Sequence, residues 1–139
     1  MLNLTKKKEI MIQTGKRKRA IARAIARTGK GNIFINEKPL EIIEPEYIKL
    51  MIKEPIILAG DAAKDLDIKV DVKGGGVFGQ ASASRQAIAK VFVEYDKSLK
   101  EKFLNYDRTL LIADARRTES HKPSASKRGP RRHKQRSKR

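Results

Sequence analysis

The 139 residues contain no Cys and no Trp, only two His, and 16 Asp+Glu against 33 Lys+Arg. The missing Cys excludes disulfides, thiolate zinc sites, iron–sulfur clusters and thiol catalysis, and fits a reducing compartment. His121 and His133 both stand among C-terminal cations, a poor setting for a histidine triad or a metal site. Long apolar runs are missing too. The longest, Ile56–Ala59 and Leu110–Ala113, have four residues each, far short of the ~20 of a membrane-spanning helix. The N-terminus, Met1-Leu2-Asn3-Leu4-Thr5-Lys6-Lys7-Lys8, is basic but has no apolar core, so no signal peptide is expected. What is present in excess is positive charge. A net charge of +17 makes an anionic polymer the expected partner.

That charge gathers at the two ends. Residues 1–30 carry 10 Lys/Arg and one acid, Glu9; residues 116–139 carry 11 Lys/Arg and one acid, Glu119. The middle, 31–115, is close to neutral, with 12 Lys/Arg and 14 acids. Cationic arms on a neutral body suit a partner that surrounds the arms with phosphate. From Arg116 onward no apolar period survives, and Ser, Pro, Gly, Lys and Arg dominate. Such a segment cannot bury enough surface to fold alone, so 116–139 is expected to be disordered without RNA and extended on it. It has no Phe, Tyr or Trp, so its contacts should go mostly to phosphate.

Periodicity organises the middle. Asp65-Leu66-Asp67-Ile68-Lys69-Val70-Asp71-Val72 alternates strictly, which predicts a half-buried strand ended by Gly74, Gly75 and Gly76. Ile88, Val91, Phe92, Tyr95 and Leu99 then fall at helical spacing, predicting a helix that begins near Gly79–Ala81. Asp96 and Ser98 suit the cap of a second short helix running to Tyr106, and Thr109–Ala113 reads as a short buried strand. Asn32–Asn36 reads as a strand, with Gly29 and Gly31 before it as a hairpin turn. Pro45 suits the start of a helix carrying Ile48, Leu50, Met51 and Ile52; Pro55 should divide it from a further short helix at Ile56–Ala63. Ala20–Arg27 is ambiguous. Ile21 and Ile25 would stack on a helix with Arg19, Arg23 and Arg27 on another face, and Ala favours the helix. In a strand the same Ile and Arg residues share one face, leaving four Ala on the other.

The run Gly74-Gly75-Gly76-Val77-Phe78-Gly79-Gln80-Ala81-Ser82-Ala83-Ser84-Arg85 resembles the signature of the small-subunit ribosomal protein S-nine family. That signature has three glycines, two variable residues, a small residue, Gln, then small residues leading to a cation. Thr14-Gly15-Lys16-Arg17-Lys18-Arg19-Ala20-Ile21-Ala22-Arg23-Ala24 resembles the family's N-terminal basic strand. Asp114-Ala115-Arg116-Arg117-Thr118-Glu119 resembles its passage into the tail, and Ser137-Lys138-Arg139 its terminus. Glu54-Pro55 through Gly60, and Tyr106-Asp107-Arg108, are more similar to archaeal members than to bacterial ones. The resemblance covers residues 12–139 and leaves 1–11 as an extension outside the pattern. Three places depart from it. Ala115 stands where archaeal relatives tend to have Pro, Ser124-Ala125-Ser126 where they have glycines, and Arg136 where bacterial relatives have an aromatic.

The resemblance implies an α+β domain over 12–115 with the basic tail 116–139. The domain would be a mostly antiparallel sheet with helices on one face and a left-handed βαβ crossover, like the second domain of ribosomal protein S-five. It makes Ala20–Arg27 a strand. It implies a non-enzymatic, cofactor-free component of the cytoplasmic small ribosomal subunit, bound to rRNA in the head beside neighbouring ribosomal proteins. The rRNA-binding residues would be Lys16, Arg17, Lys18, Arg19, Arg23, Gly74, Gly75, Gly76, Gln80 and Arg85 in the body. In the tail they would be Arg116, Arg117, Lys122, Lys127, Arg128, Arg131, Arg132 and Lys134. Arg136, Lys138 and Arg139 would touch P-site tRNA.

Gly74–Gly79 also satisfies G-x-G-x-x-G between a strand and a helix, the fingerprint of a nucleotide-binding enzyme. A doubly wound sheet needs several parallel strands, and only one strand is expected after this helix. A tight turn that admits close packing, or backbone approach to an RNA phosphate, fits better. Asp65, Asp67 and Asp71 do not form an EF-hand loop, because Val70 and Gly76 stand where Gly and Glu are needed. A general basic RNA binder without a fixed ribosomal site is the alternative to the ribosomal reading. It would bind RNAs with little preference and a steep salt dependence.

Overall fold

The computed structural model describes residues 10–138. The strands are β1 (Met11–Arg17), β2 (Ala20–Thr28), β3 (Ile33–Ile35), β4 (Lys38–Pro39) and β5 (Leu66–Lys73). The helices are α1 (Glu46–Ala59), α2 (Val77–Tyr95) and α3 (Leu99–Tyr106). The five strands form one sheet in the order β1-β2-β5-β3-β4. All pairs are antiparallel except β3 with β5, which run parallel and are joined through α1.

Ala20–Arg27 is a strand, against its helix propensity. β1 and β5 pair with it on both sides and satisfy its backbone. Ala20, Ala22, Ala24 and Ala26 are all fully buried, while Ile21, Arg23 and Arg27 face out. Ala22, Ala24 and Ala26 sit opposite Val72, Val70 and Ile68 of β5, so one register buries both alternations together. Pairing and burial outweigh an intrinsic preference worth a few tenths of a kcal/mol per residue. The Ala stripe is low, and α2 lies directly on it. A Cβ on Gly15 of β1 would collide with the Ala83 carbonyl oxygen and sit 2.8 Å from Ala87 N. Ile88, Val91 and Phe92 of α2 complete the core with Phe103 of α3, and α1 packs beside α2 through Ile48 and Ile52. Tyr95 is exposed and donates its hydroxyl to Asp65 at 3.2 Å, and Leu99 belongs to the next helix. The free edge of β1 is closed by α2. Lys16 N–H donates to Gln86 Oε1 at 2.8 Å, and Lys90 Nζ donates to the Thr14 carbonyl at 2.9 Å. Among the described residues, no helix covers the opposite sheet face, with Ile12, Ile21 and Arg23.

Several expected elements differ. Gly29 and Gly31 do not form a hairpin, because β5 lies between β2 and β3. Their loop instead wraps Asp67, whose Oδ1 accepts the Lys30 and Asn32 N–H groups at 2.9 Å. Those N–H groups hold the Asp67 carboxyl below its usual range. The hairpin lies one element later, between β3 and β4, where Asn36 and Glu37 both take positive φ. Pro55 does not divide α1. Its ring is buried in the core, which offsets the hydrogen bond it cannot make, and the helix ends at Gly60 (φ 60). Gly60–Asp65 is a 3-10 turn, so the separate helix at Ile56–Ala63 is absent. Thr109–Ala113 is not a strand either. The Asp107 carboxylate accepts the Thr109 N–H at 2.9 Å and its hydroxyl at 2.8 Å, curling Arg108–Leu110 into a 3-10 turn that buries Leu110. α2 begins at Val77, slightly earlier than its apolar stripe.

Candidate nucleic-acid interface

The interface begins at the turn between β1 and β2. Two residues, Lys18 and Arg19, reverse the chain, with Lys18 at φ 54. Lys16, Lys18 and Arg19 are exposed there, and Arg23 follows on the bare sheet face. The glycine loop packs against this turn. Gly74 and Gly75 both have positive φ; a Cβ on Gly74 would lie 2.7 Å from the Arg19 carbonyl oxygen, and one on Gly75 3.0 Å from Ala20 N. These two glycines are therefore required by packing. Gly76 differs, since nothing stands within 4 Å of the Cβ it lacks. Gln80 donates to the Gly74 carbonyl at 3.2 Å and braces the loop from inside α2.

Beside the turn is a cavity of about 220 Å³ lined by Lys16, Arg17, Ser82, Gln86, Thr109 and Arg116, among others. Asp114 organises it. Its Oδ2 accepts from Arg17 Nη1 and from Arg116 Nε (2.8 Å) and Nη2 (2.6 Å), and its Oδ1 accepts the Arg116 N–H at 2.9 Å. Arg116 and then Arg17 hold the Asp114 carboxyl far below the ordinary carboxylate range, and Asp114 raises Arg116 in return. The carboxylate thus staples the root of the tail to β1. The Arg116 side chain stays 80% exposed, so its outer face is open to a phosphate.

Arg85 is placed differently. Its Nη2 lies 2.7 Å from both Glu54 Oε2 and Asp107 Oδ2, and its side chain is only 13% exposed. It ties α1, α2 and the Arg108–Leu110 turn together, with little charge left for an outside anion. Burial pushes the Asp107 carboxyl up, but Thr109 and Arg85 outweigh it and hold it below its usual value.

The tail over 116–138 has no helix or strand; it is folded on itself by an isolated bridge between Ala125 and His133. Arg131 Nε meets Glu119 at 2.8 Å, and a His121 ring nitrogen lies 2.8 Å from the Ser126 carbonyl oxygen. Arg117, Lys122, Lys127, Arg128, Arg131, Arg132, Lys134, Arg136 and Lys138 are all exposed. Arg139 and residues 1–9 lie outside the described residues.

The structure so brings Lys16–Arg19, the glycine loop and Arg116 to one corner, where Arg85 lines the same cavity but is held by Glu54 and Asp107. Asp114, Ser82 and Thr109 were not anticipated as part of this corner. The signal for Asp114 was a single acid between an apolar run and Arg116-Arg117.

The profile described as "Ribosomal protein S9/S16" matches residues 15–139. Over 131 residues, the chain is 56% identical to "Small ribosomal subunit protein uS9" of Methanococcus maripaludis strain C5, covering 93% of this chain and 98% of that one. The protein of the same description from Methanococcus vannielii is 53% identical over the same shares. The matched span takes in the glycine loop, the basic turn and the stapled tail root, and this chain belongs to the ribosomal protein S9/S16 family, in an archaeal-type form.

Proposed function

We propose that the chain is a non-enzymatic structural component of the small ribosomal subunit in the cytoplasm, binding rRNA in the subunit head. The observation that carries this is the corner where Asp114 joins the end of β1 to the tail root, so that the basic β1–β2 turn and the cationic tail meet in one place. Lys16, Lys18, Arg19, Arg23 and Arg116 would meet phosphates of folded rRNA, with the Gly76 backbone open to close approach. Arg117, Lys122, Lys127, Arg128, Arg131, Arg132 and Lys134 would neutralise phosphate along the tail. Arg136, Lys138 and Arg139 would make charge-assisted hydrogen bonds to the backbone of P-site tRNA, holding it without reading sequence. The domain is 12–115, its parallel β3–α1–β5 unit is the crossover expected to be left-handed, and the tail 116–139 orders on RNA.

Sedimentation of small subunits through a high-salt wash tests the ribosomal role. Stoichiometric retention is expected; release to all RNA-containing fractions would indicate a general electrostatic binder. Deleting Lys138 and Arg139 should leave subunit assembly intact and speed tRNA release from the P site. Unchanged off-rates would overturn the tRNA contact.

A further inference from the structure

The sheet edge farthest from β1 has an opposite character. Ile42, Tyr47 and Leu50 are 67%, 52% and 54% exposed around the start of α1. Tyr47 stacks on Phe78 with ring centroids 5.3 Å apart, and Phe78 and its neighbour Val77 are 62% and 58% exposed. An apolar cleft of about 220 Å³ opens beside them between β3, α1 and α2, with Ile35, Ile48, Ile52 and Val77 in its walls. Glu44 lines the same cleft. Lys38 lines it too, and Glu37, Glu41 and Glu46 flank it in sequence, against Lys49. The Glu41 side chain is 77% exposed and meets Lys53 at 3.4 Å.

The charge selects what can cover this shelf. Carboxylates brought against RNA phosphate repel it, and a shelf of aliphatic and aromatic side chains gains only by losing water to another apolar surface. Exposed Tyr and Phe beside a cleft are the usual anchors of a protein interface. We infer that this shelf docks a Lys/Arg-rich segment of another protein of the subunit. The segment sets an apolar side chain in the cleft and its cations against Glu41, Glu44 and Glu46. The inference rests on the ribosomal reading and adds to it a surface and a partner chemistry.

The test replaces Leu50 with p-benzoylphenylalanine in the full chain, isolates small subunits that contain it, and irradiates them. A crosslink to a Lys/Arg-rich protein segment is expected. Combining Glu41→Lys, Glu44→Lys and Glu46→Lys should lower its yield about tenfold, as three exposed ion pairs of modest strength would. If the triple reversal does not fold, judged by circular dichroism, the Gln substitutions at the same positions serve, with a smaller drop expected. A crosslink to rRNA would overturn the inference and make the Tyr47–Phe78 pair a base platform. No crosslink in subunits that hold the chain, or a yield indifferent to the Glu changes, would also overturn it. Absence of the chain from small subunits would instead overturn the ribosomal reading, and this inference with it.

Discussion

Replacing Gly15 with Ala puts a methyl group where α2 lies on the sheet. The added Cβ collides with the Ala83 carbonyl oxygen and stands 2.8 Å from Ala87 N. Both are helix backbone, so no side chain can turn aside. α2 must lift by about 1 Å from a close-packed layer. A gap of that size forfeits a quarter to a half of the attraction at each contact it opens. α2 covers β1, β2 and β5 through side chains that are fully buried, so the loss spreads across the Ala stripe. The cost should fall at the upper end of overpacking, about 3 kcal/mol. Urea unfolding of the full chain would show it as a midpoint lowered by about 2 M, for a slope near 1.5 kcal/mol/M. Gly76→Ala is the internal control. Nothing meets its Cβ, and its φ of −100 suits any residue; the entropic gain is offset by the poorer cap that Ala gives the start of α2, so the change should stay within about 1 kcal/mol of zero. Equal midpoints for Gly15→Ala and the parent would refute the argument that the small residues exist to admit α2.

Arg85→Met should cost about 2–4 kcal/mol by stranding Glu54 and Asp107, and the double variant with Glu54→Gln should recover part of it. Asp114, Asp107 and Asp67 all have depressed folded-state pKa values. Their stabilisation is complete above the unfolded carboxylate value of 3.8 and is lost as pH falls below it. Thermal melts from pH 5 to 2 should therefore fall more steeply for the parent than for Asp114→Asn; equal slopes would remove Asp114 from the account. Truncation after Ala115 removes 11 Lys/Arg and one acid. Binding to a fixed rRNA fragment should then lose much of its dependence on log salt, and an unchanged slope would mean the tail neutralises no phosphate.

β5 and α2 were legible because alternation and helical spacing each leave one solution. The β2 segment was not, since a repeat of four residues suits period 2 as well as 3.6. Only its neighbours β1 and β5 decide between them, and the family resemblance stood in for that information. The false hairpin at Gly29–Gly31 has a similar origin, because the loop folds around Asp67, which lies 36 residues beyond Gly31. Leu110–Ala113 looks the same as a buried strand or as a plug, and the local sign that separates them is the Asp107–Thr109 cap that bends it. The site divides likewise. Which residues are cations is plain in the sequence. Which cations are free depends on where Glu54, Asp107 and Asp114 sit, and that is tertiary information.

The glutamates of the shelf and the cations of the stapled corner lie toward opposite edges of the sheet. β1 and β4 bound the sheet, four strand spacings or about 19 Å apart. That exceeds the screening length of about 8 Å at physiological ionic strength. On the rRNA-binding role proposed above, an approaching RNA would feel the two edges separately, and its field would exert a torque. The body would turn its basic edge inward before any contact formed, which would raise the rate of productive encounter without changing a single bond in the finished particle.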